Sequence, residues 1–303
     1  MLEHAIPVDL FNPGQVFACL GFLEAADVLL GNAEGGFNWS DETNVTFVLR
    51  ADQDVNPFES VLQFLASSEA IDIEPSTWPA EHSPQSVIQE DFPAPLKLFW
   101  NKQDKKWTRT ALPIEIFNGS IRVVLAHWTD GSGRNPFKLY SGNRSACSIA
   151  RAMLSGTRAK PKKGQNIGDL ETSGITQLWE SRREETLRNP FDPVPMGGSF
   201  NFDPRGAWTG IDAGYSPNEH NHPVAASPIV EFLAAWGLEN SRPDEFETRN
   251  VRYAAWGIPL SPTLARAALC GSLISIPLKR FRFELDLSGK NKVVTFAQLE
   301  TNQ

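Results

Sequence analysis

Residues 12–31, NPGQVFACLGFLEAADVLLG, constrain the fold more than any other stretch. Asn12 reads as a helix cap, and Pro13 takes the first helical position, where its missing N–H costs nothing. Gly31 stops the helix. Between them the sequence is apolar nearly all round, with Glu24 and Asp27 on one strip. A helix of that kind must be covered on almost every side, so the rest of the chain is expected to wrap it and leave one edge exposed. The two carboxylates exclude a membrane span.

Three further helix starts repeat the pattern. Asn56-Pro57 opens a helix to about Ala70, with Glu59 placed for a capping box. Ser227-Pro228 opens one over Ile229–Gly237, and Pro262–Cys270 forms one ending at Gly271. Ser145–Leu154 and residues 169–188 also read as helices. Strands are expected at Ala5–Leu10, Phe37–Trp39, Val45–Leu49, Ile71–Glu74, Leu96–Trp100, Trp107–Thr110, Ile121–Trp128, Ser199–Phe202 and Val251–Trp256. A terminal hairpin joins Leu278–Leu287, with its Phe281/Phe283/Leu285 face, to Lys292–Leu299. Residues 75–95, with five prolines, read as a loop. Strands and helices mix without βαβ repeats, which predicts an α+β fold with a mixed or antiparallel sheet, packed helices and long irregular loops.

Charge divides the chain. Residues 1–96 hold sixteen acids and one base, Arg50, whereas residues 97–303 hold twenty acids and twenty-seven bases. We therefore expect an acidic α+β region over 1–95 and a basic α+β region over 96–303, as two domains or one continuous one. Within the second, residues 131–168 carry eight bases and no acid, in a chain whose net charge is −8. Such a block calls for a polyanion, most simply a phosphate backbone. The candidate nucleic-acid contacts are Arg134, Lys138, Asn143, Arg144, Arg151, Arg158, Lys160, Lys162 and Lys163. Thr157–Gly168 is expected to be a mobile loop that orders on binding. Arg205 and Trp208 are added from the irregular segment Gly198–Pro223, as a cation and a stacking ring.

That segment also holds Asp203, Asp212, His220 and His222, residue types that bind divalent metals or move protons. The alternative they support is a metal-dependent nuclease or hydrolase. His127 reads as a satisfied histidine at a strand end. The absence of a phosphate-loop pattern argues against a nucleotide site of that type. Cys19, Cys147 and Cys270 are too scattered for zinc or a disulfide framework and read as buried free thiols. No cofactor is expected. The first residues lack a basic segment before an apolar core, so a cytoplasmic location is expected.

The opening IPVDLFNPGQVFACLGFLEAADVLLG resembles the small large-subunit proteins of type I-U (type I-G) CRISPR interference complexes. NPFKLYSGNRSACSIARAML, GSFNFDPRGAWTGIDAGYSP, ASPIVEFLAAWGLEN and VRYAAWGIPLSPTLARAALCG extend the likeness over most of the chain. The resemblance implies a non-catalytic subunit of a Cascade ribonucleoprotein. Its partners would be guide RNA (crRNA), target double-stranded DNA, the other Cascade subunits and a recruited helicase–nuclease. It would help read the motif flanking the target (the PAM), while base pairing reads the sequence. A scaffold subunit holding guide RNA alone is the nearer alternative.

Overall fold

A computed structural model describes residues 2–78, 86–89, 96–129, 137, 139–140, 144–159, 170–206, 225–273, 275–288 and 291–300. It has an α+β fold. The organising helix is α1, Pro13–Leu30, capped by the Asn12 side chain, which accepts the Gln15 N–H at 3.2 Å. Every residue from Pro13 to Ala26 is buried. By length and composition α1 is apolar enough to cross a membrane, but its faces are covered by the rest of the chain.

The remaining helices are α2 (Pro57–Ala66), α3 (Ala146–Ser155), α4 (Ile175–Arg188), α5 (Pro228–Gly237) and α6 (Pro262–Leu269). Helices α1 and α5 share the most extensive contact between elements. Glycines permit the approach: a methyl on Gly21 would lie 2.0 Å from the Leu233 carbonyl oxygen, and one on Gly237 would lie 2.4 Å from that of Phe17.

Strands β1 (His4–Pro7), β2 (Glu34–Asn38) and β3 (Thr46–Arg50) make an antiparallel sheet in the order β1-β3-β2. A second sheet, in the order β5-β4-β8-β9, uses β4 (Glu69–Pro75), β5 (Ser86–Gln89), β8 (Ile114–Asn118) and β9 (Ile121–Leu125). Short hairpins are β6 (Trp100–Asn101) with β7 (Lys106–Trp107), and β10 (Thr157–Ala159) with β11 (Leu170–Thr172). Strand β12 (Val194–Pro195) pairs with β13 (Ala225–Ala226). The last sheet is antiparallel and runs β14 (Asp244–Glu247), β15 (Asn250–Trp256), β16 (Leu278–Ser288) and β17 (Asn291–Val294). Strand β18 (Gln298–Leu299) also pairs with β16. As expected, Phe281, Phe283 and Leu285 point inward. Tyr253 of β15 stacks on Phe281 at 5.3 Å, packs against Phe17 of α1, and donates its hydroxyl to Leu10 O at 2.6 Å. One core cluster runs from Ile6 to Ala297 and draws on both the acidic and the basic region.

Several expectations change. Glu24 is buried rather than on an exposed edge, because Arg266 of α6 covers it with two hydrogen bonds of 2.5 Å. The Glu59 carboxylate turns away from its own helix start to Arg183, so the Asn56 cap works without a reciprocal box. A strand, β5, lies within residues 75–95 and runs parallel to β4. Leu96–Phe99 and His127–Thr129 are 3-10 turns, not strand. Residues 170–172 are strand, so the helix expected from 169 begins at Ile175. Cys270 is only half-buried; Cys19 and Cys147 are buried.

Candidate nucleic-acid interface

The acid-free stretch is not a single surface. Phe137, Leu139 and Tyr140 are buried, Phe137 against Phe17 at 6.1 Å and Tyr140 beside Phe200 at 5.5 Å. These side chains pin the start of the stretch into the core. Ser145 then caps α3 by accepting the Ser148 N–H at 3.1 Å, and the apolar face of α3 is buried. Core anchors therefore alternate with bases.

Two arginines of this stretch have described side chains. Arg144 is exposed and donates to Gly197 O at 2.6 Å, with no carboxylate partner among the described residues. Arg151, on α3, donates from Nε to Ala70 O at 2.8 Å. Cys147 Sγ donates to the same carbonyl at 3.4 Å. The reason is the strand edge: β5 pairs with β4 only from Asp72 onward, so α3 serves the Ala70 carbonyl that β5 does not reach.

Between β4 and α3 lies an open cleft of about 890 Å³, lined by Asp72, Ser145, Cys147, Ser148, Arg151 and Thr157 among others. Asp72 Oδ1 is buried there and finds no hydrogen-bond partner among the described residues. Burial pushes the Asp72 carboxyl up to about 6, against the pull of the Arg151 charge, with Glu74 adding to the rise and Arg109 opposing it. Burial also holds the Cys147 thiol up to about 12, so it is a neutral side chain and not a nucleophile. The cleft can accept a polar donor and, beside it, an anionic oxygen.

At its mouth stands the β10–β11 hairpin. Gly156 (φ +66°) ends α3 and Gly174 starts α4, and a methyl on Gly174 would lie 2.1 Å from Gly156 N. Thr157 and Thr172 close the stem through their hydroxyls at 2.7 Å. The expected loop Thr157–Gly168 thus begins as strand, Thr157–Ala159. Arg158 lies on β10. Lys160, Lys162 and Lys163 belong to the segment the stem carries and lie outside the described residues. So do Arg134, Lys138, Asn143 and Trp208.

Arg205 is placed differently from its expected role. It clasps the buried Asp203 carboxylate with contacts of 2.6 and 2.9 Å and donates to Phe191 O at 2.8 Å. Asp203 also accepts from Ser227 N and from Asn12 Nδ2, each at 3.1 Å. This knot joins the caps of α1 and α5 and holds Arg205 in the fold rather than on a ligand. Glu231 lies beneath, accepting the Phe200, Phe202 and Asp203 N–H groups at 2.8, 3.2 and 2.8 Å. Residues 199–202 are consequently not a strand; a side chain takes their N–H groups. Asp203 is therefore filled as a metal ligand would not be, while Asp212, His220 and His222 lie outside the described residues. Among the described residues no group of three His, Cys, Asp or Glu could hold a metal.

His127 is buried at the end of β9, its Nδ1 3.3 Å from Glu239 Oε2. Burial would raise the Glu239 carboxyl, but hydrogen bonds from the His127 ring and from the Ala126 and His127 N–H groups outweigh it and hold the group below its ordinary value. The pair closes the end of β9 through Nδ1. Compared with protein-family models, with curated proteins and with solved structures, the chain has no match.

Proposed function

We propose that this chain is a non-catalytic, nucleic-acid-binding subunit of a type I CRISPR effector complex, of the type I-U kind that its sequence resembles. It holds guide RNA and target duplex, helps read the flanking motif, and works beside other Cascade subunits before a helicase–nuclease arrives. The observation that carries this reading is the setting of the acid-free stretch. Buried aromatics and α3 anchor it, Arg144 is exposed, and the β10–β11 stem at the edge of a polar cleft joins the lysine-rich sequence of residues 160–169 to the fold. Cations presented from a fixed base suit a phosphate chain, because less ordering entropy is lost on binding.

The test is to purify the tagged protein from its native host, sequence co-purifying RNA and identify co-purifying proteins. Short RNAs of uniform length with a shared repeat-derived 5′ end, together with several protein partners, are the expected result. A chain that purifies alone and free of nucleic acid would overturn the reading.

A further inference from the structure

Outside the acid-free stretch, the β6–β7 hairpin carries an unusual aromatic arrangement. Two rungs of strand are marginal by themselves, so something else must hold this hairpin. At the tip, Asn101 Oδ1 accepts the Gln103 and Asp104 N–H groups at 2.9 and 3.2 Å, and its amide donates to Asp104 at 2.9 Å. At the base, an aromatic ladder does the rest. Trp100 meets its cross-strand partner Trp107 edge-on at 5.1 Å. Trp107 stacks on Trp78 at 4.9 Å and 22°, and Trp78 packs on Phe99 at 6.0 Å. Trp78, Phe99 and Leu112 form a small core of their own, separate from the main cluster. Arg109 lies over Trp78, 5.8 Å from the ring centroid, and is paired with Glu74.

The outer end of the ladder is open: Trp100 is 40% exposed. On the hairpin and the turn before it Lys97, Lys102, Lys105 and Lys106 are all exposed, and the one acid of residues 97–107, Asp104, is 3.9 Å from Lys106 and largely in solvent. An open ring packed on Trp107, on a hairpin whose turn carries lysines in an acidic chain, has the parts of a stacking platform with a phosphate track.

We infer that Trp100 stacks on an unpaired base of a single-stranded nucleic acid while Lys102, Lys105 and Lys106 pair with its phosphates. Charge complementarity selects this occupant, since the lysines call for an anion and the open ring for a π-face, and a single strand supplies both in every nucleotide. The inference rests on the reading above only in taking nucleic acid as the ligand; the hairpin shares no residue with the β4–α3 cleft.

The experiment titrates the full chain with a labelled single-stranded oligothymidylate, following label anisotropy and tryptophan fluorescence. Trp100→Ala should bind roughly 5- to 100-fold more weakly and lose part of the quench, while Trp100→Phe keeps most of the affinity. Lys102→Ala, Lys105→Ala and Lys106→Ala together should weaken binding and flatten its salt dependence. Trp100 is outside both cores but shares in the ladder through Trp107, so Trp100→Ala should melt slightly below the parent chain, while Trp100→Phe, which keeps a ring on Trp107, should melt with it and separates stacking from folding. Unchanged affinity and quench in Trp100→Ala, with a parent that binds, would overturn the inference and leave the subunit reading standing. A parent that fails to bind the oligonucleotide would overturn both. Equal competition by polyglutamate would show a surface that selects charge alone and would also overturn it.

Discussion

Single residues show how far the polar interior steers this fold. Glu231 is fully buried and raised to about 7 from its ordinary 4.5, first by burial and then by the Asp203 charge, against the backbone N–H groups that favour its ionised form. A raised carboxyl pKa means the folded state binds more protons than the unfolded state between about pH 4.5 and 7. The stability this contributes is complete below the unfolded value and is lost as pH rises through the folded one. Asp72, raised to about 6, acts in the same direction. The urea midpoint should therefore fall between about pH 5 and about pH 8, by the equivalent of roughly 3 kcal/mol for Glu231. Glu231→Gln, which keeps one acceptor and cannot ionise, should lower the midpoint at acid pH and flatten that slope. A slope unchanged by the substitution would show that Glu231 does not cause it. Arg205→Ala leaves the buried Asp203 charge without its cation and should cost about 3 kcal/mol in chemical denaturation. In the same variant, salt dependence of nucleic-acid binding should stay as in the parent. A changed salt slope with unchanged stability would return Arg205 to the ligand.

At the level of elements, the close α1–α5 approach makes a sharp prediction. Gly21→Val puts side-chain atoms where the Leu233 backbone already is, and no flexible group stands there to give way. The expected loss is about 3 kcal/mol or the whole fold, read by thermal melting and soluble yield. Gly31→Ala, whose added methyl meets nothing, should keep the fold and lose only the backbone strain of its φ of +78° and ψ of 151°, about 1 to 3 kcal/mol. Which elements could be read from the sequence follows from where their hydrogen bonds go. Helices opened by Asn-Pro or Ser-Pro were legible because cap and start are local. Residues 199–202 misled because the alternation is real, with Phe200 and Phe202 both buried, while their N–H partner is a glutamate 29 to 31 positions away. Strand β11 hid before α4 because three residues carry too little pattern to separate from a helix start. In the candidate site the cations were legible from composition. The cleft was not, since it exists only where α3 meets the free edge of a strand some 80 residues earlier. The Trp78–Trp107–Trp100 ladder was missed for the same reason, although Trp100 and Trp107 flanking a lysine-rich turn was a usable signal.

For the whole molecule the governing property is that opposite charges are segregated along the chain yet share one core. The acidic residues 1–96 supply α1, α2 and the first sheet, so the scaffold that fixes the basic stretch is itself repelled by phosphate. Binding must then be local, and its salt dependence should count the cations that touch phosphate, not the net charge. Lys160, Lys162 and Lys163 give the direct check. If all three neutralise phosphates, replacing them with alanine should reduce the slope of log K against log salt by about 2 to 3, as each contact contributes about 0.7 to 0.9. Stability should change by less than about 0.5 kcal/mol, because Thr157 and Thr172 close the β10–β11 stem. Fluorescence anisotropy across a salt series measures the first quantity and denaturant titration the second. A uniform loss of affinity with the slope intact would place these lysines away from the backbone. Arg144 with the β6–β7 lysines would then have to carry the electrostatic part of binding.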